Sequence, residues 1–213
     1  MIFKDRKEAG EKLAGLLFKK RLKNAVVVSL LRGGAVVGEE IANKLKSPHI
    51  PLAVAKIPAP LEQELAIGAL CFDFTYLESR ITNSLNIDRS AIRKQVDIAK
   101  EKFDSYLKRF DLKKSNYRLK NKAVILTDDG IATGSTVKAA LLFIKSLTPK
   151  KIILAIPVAP TDFETAGFDD VVILHRDPFF SAVSQFYKNF PQVEDEEVRK
   201  MLKVNWLRNP YRL

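Results

Sequence analysis

The sequence predicts an α/β fold in which a parallel sheet is flanked by helices. Nearly continuous apolar runs of strand length recur along the chain, at residues 25–31, 123–126 and 151–158. The first two of these runs are each followed by a turn that contains glycine and then by the apolar spacing of a helix. Such alternation is typical of a parallel sheet that is buried on both faces.

Composition and length indicate one globular domain of ordinary size. The chain has 213 residues, of which 46% are hydrophobic and 29% are charged. That is enough to bury a core within a single domain spanning residues 1–213. No apolar run is long enough to cross a bilayer and no signal peptide is evident, so we expect a cytoplasmic protein without membrane association. The only cysteine, Cys71, lies in an apolar run, and we expect a buried, inert thiol.

The first part of the chain begins with a capped helix. Asp5 and Glu8 have the spacing of a helix cap and its partner, and Ala9 and Leu13 begin one apolar helical face. The elements predicted next are a central strand at 25–31, a helix at 36–45, a strand at 50–56, a loop with two prolines at 57–64 and a strand-like run at 66–72.

A helical insertion is predicted at about residues 80–120. Apolar residues recur there at alternating steps of four and three, which predicts a helix from about 88 to 110 whose stripe lies on the core or on a partner. The stripe consists of Ile92, Val96, Ala99, Phe103, Tyr106 with Leu107, and Phe110. Residues 80–122 also hold 13 Lys and Arg against 5 Asp and Glu, in a chain of net charge +11. We interpret them as a solvated basic face; attraction of polyanions or weak contact with RNA is the alternative.

The last part of the chain is predicted as a shorter series of elements. These are a helix at 137–147, a strand at 151–158, a turn at 159–164 and a short strand at 171–174. Residues 175–187 are rich in aromatic side chains, which pack into a core or stack on a planar base. His175 is interpreted as a hydrogen-bonded structural residue, with a base contact or proton donor as the alternative.

The stretch at residues 124–136 carries the clearest chemical signal. An apolar strand ends at Asp128 and Asp129, a turn rich in glycine, serine and threonine follows, and a helix then begins. Backbone N–H groups of such a turn, aided by the helix dipole, hold a phosphate without a cationic side chain. Carboxylates at the carboxyl end of a parallel strand lie where open α/β sheets bind ligands. They can accept hydrogen bonds from ribose hydroxyls or hold hydrated Mg²⁺.

A second candidate site follows the first strand, at Arg32-Gly33-Gly34. Paired glycines allow unusual backbone angles and present N–H groups to an anion. Arg32 adds a positive charge suited to phosphate. Taken alone, the same pattern also fits an ordinary tight turn between a strand and a helix.

Residues 124–136 resemble the signature of type I phosphoribosyltransferases, a family with a Rossmann-like fold that binds 5-phosphoribosyl-1-pyrophosphate (PRPP). The resemblance implies that Asp128 and Asp129 face the ribose hydroxyls, that residues 132–136 wrap the 5′-phosphate and that residues 31–34 form the pyrophosphate loop. Lys56, at a strand end, is a plausible pyrophosphate contact or simply a solvated lysine. The implied PRPP-binding residues are Arg32, Gly33, Gly34, Lys56, Asp128, Asp129, Gly130, Ala132, Thr133, Gly134, Ser135 and Thr136.

Two residues depart from the family's pattern. Gly130 stands where the family usually has an aliphatic residue. Ala132 stands where enzymes for 6-oxo purines carry an aspartate that acts on the base, so that route to base catalysis is absent from this chain.

The resemblance implies a glycosyltransferase reaction assisted by Mg²⁺, in which the phosphoribosyl group passes from PRPP to a nitrogenous base and pyrophosphate is released. Asp128, Asp129 and Arg32 are the catalytic candidates, and the two carboxylates would hold the metal through water or ligand. The acceptor would be a small planar base, and a C-terminal hood at residues 175–213 is the candidate for recognising it. Its stacking candidates are Phe179, Phe180 and Tyr187. We also expect the chain to form a homo-oligomer, namely a dimer.

Nearly the whole chain resembles one subgroup of the family, bacterial and archaeal predicted phosphoribosyltransferases of unassigned substrate. The likeness lies in residues 3–10, 64–69, 157–160 and 190–193, with a domain core at about 1–174. The alternative function is a regulator that binds PRPP or a nucleotide without turnover and contacts RNA or DNA through residues 80–122.

Overall fold

A computed structural model of the chain describes residues 1–60, 62–63 and 65–207. Within these residues the strands are β1 (Ala25–Leu30), β2 (His49–Leu52), β3 (Ala55–Pro58), β4 (Ala66–Cys71), β5 (Phe74–Leu77), β6 (Ala123–Thr127), β7 (Lys151–Pro160) and β8 (Asp170–Asp177). The α-helices are α1 (Arg6–Lys19), α2 (Gly33–Leu45), α3 (Ser79–Ser84), α4 (Arg89–Arg109), α5 (Ser135–Ser146) and α6 (Asp195–Leu207).

The chain divides into two compact units. Unit 1 comprises residues 1–52, 118–132 and the described residues from 148 onward, and unit 2 comprises residues 53–117 and 133–147. The interpretation of residues 1–213 as a single domain stays a prediction.

Unit 1 is built on a parallel sheet whose strand order is β2-β1-β6-β7-β8. The register sets Val27 beside Ile125 and Ile125 beside Ile153. All residues of β1 and β6 are buried, which is why these strands are continuous apolar runs. Side chains from α1 and α2 complete this core, among them Leu13, Leu17, Val37 and Ile41. The predicted α/β fold with a parallel sheet flanked by helices is confirmed.

The start of α1 is fixed by the predicted cap. The Glu8 backbone N–H donates to Asp5 Oδ1 at 2.9 Å, and Glu8 Oε2 in turn accepts from the Lys4 N–H at 2.6 Å. These bonds satisfy N–H groups that have no partner within the helix. The cap makes Arg6 the first residue of α1.

Unit 2 is built on an antiparallel sheet of order β3-β4-β5, with α3, α4 and α5. On α4 the predicted stripe contributes Ala99 and Phe103 to the buried core, and the Phe103 ring packs edge-on against Phe72 at 5.2 Å. Cys71 is buried, as predicted, and burial raises the pKa of its thiol. The interpretation of the stripe as core-facing is therefore confirmed for its middle residues.

Some predicted elements differ from the structure. The single strand predicted at 50–56 is wrong, because β2 ends at Leu52 in unit 1 whereas β3 begins at Ala55 in the sheet of unit 2. The turn predicted to begin at residue 159 is also wrong there, because β7 continues to Pro160. The strand predicted at 171–174 is longer, spanning the whole of β8. An apolar run shows that a segment is buried, but it does not show to which sheet the segment belongs.

Several elements were not predicted, namely β5, α3 and α6. The β5 side chains are only partly buried or exposed, so its sequence lacks the apolar run that marked the other strands. The predicted loop at 57–64 begins within β3, and its residues 61 and 64 lie outside the described residues. Residues 208–213 of the predicted hood and tail also lie outside them.

Candidate functional site

The two predicted loops of unit 1 meet at one edge of the parallel sheet. Asp128 and Asp129 directly follow β6, and Arg32 follows β1, its neighbour in the sheet. The register aligns Ser29 with Thr127, so β1 ends only one residue beyond β6. Carboxyl ends of neighbouring parallel strands form the crevice in which α/β sheets bind ligands. The structure thus brings together loops that lie far apart in the sequence.

The paired glycines lie directly against the acidic pair. A Cβ atom on Gly34 would come within 2.9 Å of both the Cα and the Oδ1 atom of Asp128. A Cβ atom on Gly33 would come within 2.6 Å of the Asp129 carboxyl carbon and 2.9 Å of Arg6 Nε. Real Cβ atoms do not approach other atoms so closely, so both positions require glycine to accommodate the carboxylates, in addition to any anion that the loop binds.

Asp129 is held by a buried arginine from α1. Arg6 Nε donates to Asp129 Oδ2 at 2.7 Å, and the side chains are only 9% and 16% exposed, respectively. Within the acidic pair, the Asp129 backbone N–H donates to Asp128 Oδ1 at 2.8 Å. Charged hydrogen bonds in a partly buried setting are short and directional. The orientation of the Asp129 carboxylate is therefore set by the protein before any ligand arrives.

Tyr187, predicted as a base-stacking residue, instead contacts the backbone of the acidic pair. Its hydroxyl donates to the Asp129 carbonyl at 2.6 Å, and its ring lies 4.9 Å from that of Phe190 and 5.5 Å from that of Phe3. Burial, followed by the neighbouring Asp129 charge, raises the pKa of Tyr187, so the hydroxyl stays protonated as a donor at neutral pH. With 6% of the residue exposed, Tyr187 has little surface for stacking on a base.

Phe179 and Phe180, the other two stacking candidates, differ in exposure. Phe179 is 87% exposed, whereas Phe180 stacks on Phe186 with ring centroids 5.2 Å apart. His175 is hydrogen-bonded, as predicted, with its Nε2 atom 3.1 Å from Asp177 Oδ2. Base binding by the aromatic residues stays a prediction, and its most accessible candidate is Phe179.

Arg32 is paired with a carboxylate of the C-terminal helix. Its Nη1 atom lies 3.2 Å from Asp195 Oδ1, and each side chain is about one quarter exposed. An anion that binds Arg32 would therefore meet a cation that already has a carboxylate partner. The Leu31–Arg32 peptide bond is cis.

Gly130, the first departure from the family pattern, has a physical explanation in unit 1. A Cβ atom there would come within 2.6 Å of Val183 Cγ1 and 2.9 Å of Val158 Cγ2. Val183 begins a 3₁₀ turn of the C-terminal segment. An aliphatic residue at position 130 would need space that Val183 occupies.

The predicted phosphate turn divides between the units, with Ala132 in unit 1 and residues 133–136 in unit 2. Gly134 caps α5 with φ of 83°, a left-handed conformation that favours glycine. As glycine, it supplies no side-chain oxygen to the first N–H groups of α5, of which the Ser135 N–H lies 3.5 Å from Thr133 Oγ1. Ser135 is buried, and its hydroxyl lies 3.3 Å from Glu78 Oε1. The Glu78 carboxylate disfavours a second anion beside Ser135.

The remaining predicted contacts lie on the surface of unit 2. Lys56 is exposed on β3, beside Ala69 of β4. The Thr133 hydroxyl lies 3.2 Å from that of Ser135, and Thr136 is partly buried at the start of α5. Their contact with PRPP stays a prediction.

The chemistry of Asp128 and Asp129 is compatible with the predicted magnesium ion. Among the described residues, no group of three or more His, Cys, Asp or Glu side chains is arranged to hold a metal. Two neighbouring carboxylates are nevertheless enough for Mg²⁺, which usually keeps several waters and binds through one or two carboxylates and substrate phosphates. One oxygen of Asp129 is already bonded to Arg6, which leaves that carboxylate fewer sites for a metal or its waters.

Sequence reasoning missed Arg6 and Asp195. Arg6 lies 123 residues from Asp129 in the chain, so no spacing rule connects them. The signal available in the sequence was that residues 3–10 resemble the subgroup although they had no assigned role in the reaction. Asp195 lies in α6, for which no element was predicted.

Comparisons with known proteins identify the family of the chain. The family model of the phosphoribosyl transferase domain matches residues 80–187. Over 205 residues the chain is 36% identical to "Putative phosphoribosyl transferase Rv0571c" of Mycobacterium tuberculosis (strain ATCC 25618 / H37Rv) and equally to "Putative phosphoribosyl transferase MT0597" of strain CDC 1551 / Oshkosh. These matches cover 92% of this chain and 45% of each relative, so the chain spans about half the length of the curated relatives it matches.

A solved structure resembles the chain over almost its full length. The crystal structure of TT1426 from Thermus thermophilus superimposes with a TM-score of 0.75 at 30% identity, covering 95% of this chain and 98% of that one.

In the part of the chain that the structure describes, no helix combines the length and apolar character needed to span a bilayer.

Proposed function

The chain belongs to the phosphoribosyltransferase family, and from this premise we propose that it transfers the 5-phosphoribosyl group from PRPP to a small planar nitrogenous base, with Mg²⁺ and with release of pyrophosphate. The observation that carries the proposal is the meeting of Gly33 and Gly34 with Asp128 and Asp129 at the carboxyl edge of β1 and β6. That arrangement sets the start of α2 beside two carboxylates, as a ligand with both hydroxyls and phosphates requires.

The reaction is a displacement at C1 of the ribose. The bond from C1 to the pyrophosphate oxygen breaks and its electron pair leaves with pyrophosphate, while a ring nitrogen of the base forms the new bond to C1. A proton on that nitrogen passes to solvent or to the departing pyrophosphate. Positive charge develops on the ribose ring as the bond breaks, so nearby carboxylates lower the barrier.

The residues of this chain would divide the work by charge. Asp128 and Asp129 would accept hydrogen bonds from the ribose hydroxyls and offset the ring charge. Arg32 and the neighbouring amides would bind the pyrophosphate, and amides within residues 132–136 would bind the 5′-phosphate. Binding the distant phosphate would help to position C1 for attack. Mg²⁺, held by the carboxylates through water or ligand, would neutralise the departing pyrophosphate.

The base is the least specified component. Ala132 supplies no carboxylate to the base, and the exposed Phe179 is the favoured stacking candidate. A homo-oligomer also stays a prediction.

The proposal is tested with PRPP and Mg²⁺. A ligand that binds the folded state raises stability by about 2.7 kcal/mol at a concentration of 100 Kd, so PRPP is expected to raise the melting temperature of the wild-type protein. Asp128→Asn and Asp129→Asn are expected to remove most of that gain. Asp97→Asn is the matched control, because this α4 carboxylate is 72% exposed. Absence of any PRPP-dependent shift in the wild type contradicts the proposal. A panel of nucleobases, followed by pyrophosphate release, then identifies the acceptor.

A regulator that binds PRPP or a nucleotide without turnover is the second candidate. The observation in its favour is that basic side chains of α4, among them Arg93, Lys94 and Lys100, are exposed, while Ala99 and Phe103 face the core. Retention on heparin or RNA at physiological salt, together with PRPP binding but no pyrophosphate release with any base, would favour the regulator.

A further inference from the structure

Two segments of unit 1 have no role in the reaction proposed above, yet they meet at Arg6, which binds Asp129. They are residues 3–10 and 190–193, both part of the subgroup likeness. The backbone joins the first segment to residues just before the second, because the Phe3 N–H donates to the Phe186 carbonyl and the Lys188 N–H donates to the Phe3 carbonyl, each at 2.8 Å. The N-terminal chain is thereby fixed against the C-terminal segment of unit 1.

Arg6 makes three directional contacts where these segments meet. Its Nε atom donates to Asp129 Oδ2 at 2.7 Å, and its Nη1 atom donates to the Pro191 carbonyl, also at 2.7 Å. The guanidinium carbon lies 3.7 Å from the centre of the Phe190 ring. A planar guanidinium that is bonded at two nitrogen atoms and stacked on a ring has little freedom to move. The carboxylate bonded to it is correspondingly restricted.

The other sides of Asp129 are also enclosed. The Tyr187 hydroxyl donates to its backbone carbonyl at 2.6 Å, and the Tyr187 ring stacks on Phe190. Gly33 lies against both the Asp129 carboxyl group and Arg6 Nε. The backbone and the side chain of Asp129 are therefore fixed by different partners.

We propose that Arg6 is a positioning residue for phosphoribosyl transfer, which holds the Asp129 carboxylate in the orientation that faces the ribose. The inference rests on the proposed function. Only 9% of the Arg6 side chain is exposed, so it offers little surface to a substrate and acts through Asp129. A carboxylate that must receive ribose hydroxyls or metal-bound water in one geometry works best when its supporting residues are rigid. Residues 3–10 and 190–193 supply that support.

The test compares Arg6→Lys and Arg6→Met with Lys7→Met. Lys7 is the adjacent residue of α1, and its side chain is 64% exposed. The dissociation constant of PRPP with Mg²⁺ is measured by calorimetry at a temperature at which each variant is folded by circular dichroism. We expect Arg6→Lys to weaken PRPP binding about 10- to 100-fold, the range known for residues that orient metal ligands. Lysine keeps the charge but not the two-nitrogen fork. Lys7→Met is expected to bind as wild type.

A second arm separates positioning from a purely structural role. In the Asp129→Asn background, Arg6→Lys should add little further loss of PRPP affinity, because the group that Arg6 orients has already been altered. Folded Arg6 variants with wild-type affinity, or an additive loss in the Asp129→Asn background, would overturn the inference while leaving the proposed function intact. A wild-type protein that does not bind PRPP contradicts the proposed function itself. If Arg6→Met does not fold, the charge-conserving lysine variant decides the question.

Discussion

Gly33 and Asp129 are in such close contact that a Cβ atom on the glycine would stand 2.6 Å from the carboxyl carbon of the aspartate. Position 33, after β1, therefore requires glycine, because the Asp129 carboxylate after β6 lies where a Cβ atom would stand. The contact joins the two predicted sites, the glycine loop and the acidic pair, without a ligand between them.

Gly33→Ala is accordingly expected to displace Asp129 and Arg6. Overpacking of this kind costs about 1–3 kcal/mol of unfolding free energy, and PRPP affinity should fall with it. Gly15→Ala is the control, because a Cβ atom there has no neighbour within 4 Å and the residue lies inside α1. That change should instead stabilise the protein by about 0.5–1 kcal/mol. Urea unfolding of both variants measures the difference, and a Gly33→Ala protein as stable as wild type would contradict the proposed contact.

Substitutions at Gly130 and Val183 should compensate for each other, because the two positions share one space. Gly130→Ala places a methyl group against Val183 and is expected to cost about 1–3 kcal/mol of stability. In the double variant with Val183→Ala, space is restored, so the combined loss should be smaller than the sum of the single losses. Coupling between residues in contact is typically about 0.5–3 kcal/mol. A double-mutant cycle by denaturant unfolding checks this, and strict additivity would show that the two residues do not compete for space.

The start of α5 tests whether backbone or hydroxyl groups hold phosphate. Ser135→Ala removes a hydroxyl that lies near Glu78 and should weaken PRPP binding only modestly. Gly134→Val should be far more harmful, because a branched residue at φ of 83° is strained by roughly 1–3 kcal/mol and obstructs the turn. PRPP titrations of both variants provide the comparison. Equal losses would indicate that side-chain hydroxyls bind the phosphate.

The effects of substituting the three aromatic candidates should differ according to how exposed each residue is. Phe179→Ala is expected to leave thermal stability and PRPP affinity unchanged, because the residue is 87% exposed, and to raise the KM of the base if Phe179 stacks on it. Tyr187→Phe keeps the ring but leaves the Asp129 carbonyl without this donor, which costs about 1–3 kcal/mol when the group is buried. The stability loss of Phe180→Ala should lie between those of Phe179→Ala and Tyr187→Phe, because Phe180 packs on Phe186. Loss of fold and PRPP binding in Phe179→Ala, Phe180→Ala and Tyr187→Ala alike would identify the cluster as core.

His49 should make unfolding dependent on pH. Burial lowers the pKa of His49 from 6.5 to about 4 in the folded protein. Between these values the unfolded chain binds a proton that the folded chain does not, so stability falls as the pH falls. The slope contributed by His49 is at most about 1.4 kcal/mol per pH unit, and it fades as the pH rises above 6.5. Subtracting the unfolding curve of His49→Gln from that of wild type isolates this effect. Parallel curves between pH 4 and 6.5 would refute it.

The sequence by itself determined the features that depend on neighbours along the chain. The buried runs of β1 and β6, the Asp5 cap of α1 and the periodic stripe of α4 each follow from local spacing. The same holds for the position of the acidic pair, because a strand that ends at two carboxylates is visible in the residue order.

Tertiary structure alone decided which distant residues meet. Arg6 reaches Asp129 across 123 residues, Val183 fills the space beside Gly130, and residues 50–56 divide between two sheets. Periodicity shows that a side chain is buried but not against what, because its neighbours are set by strand order and register. The acidic pair was therefore predictable from the sequence, whereas its contacts with Arg6, Gly33 and Tyr187 became apparent only in the folded chain.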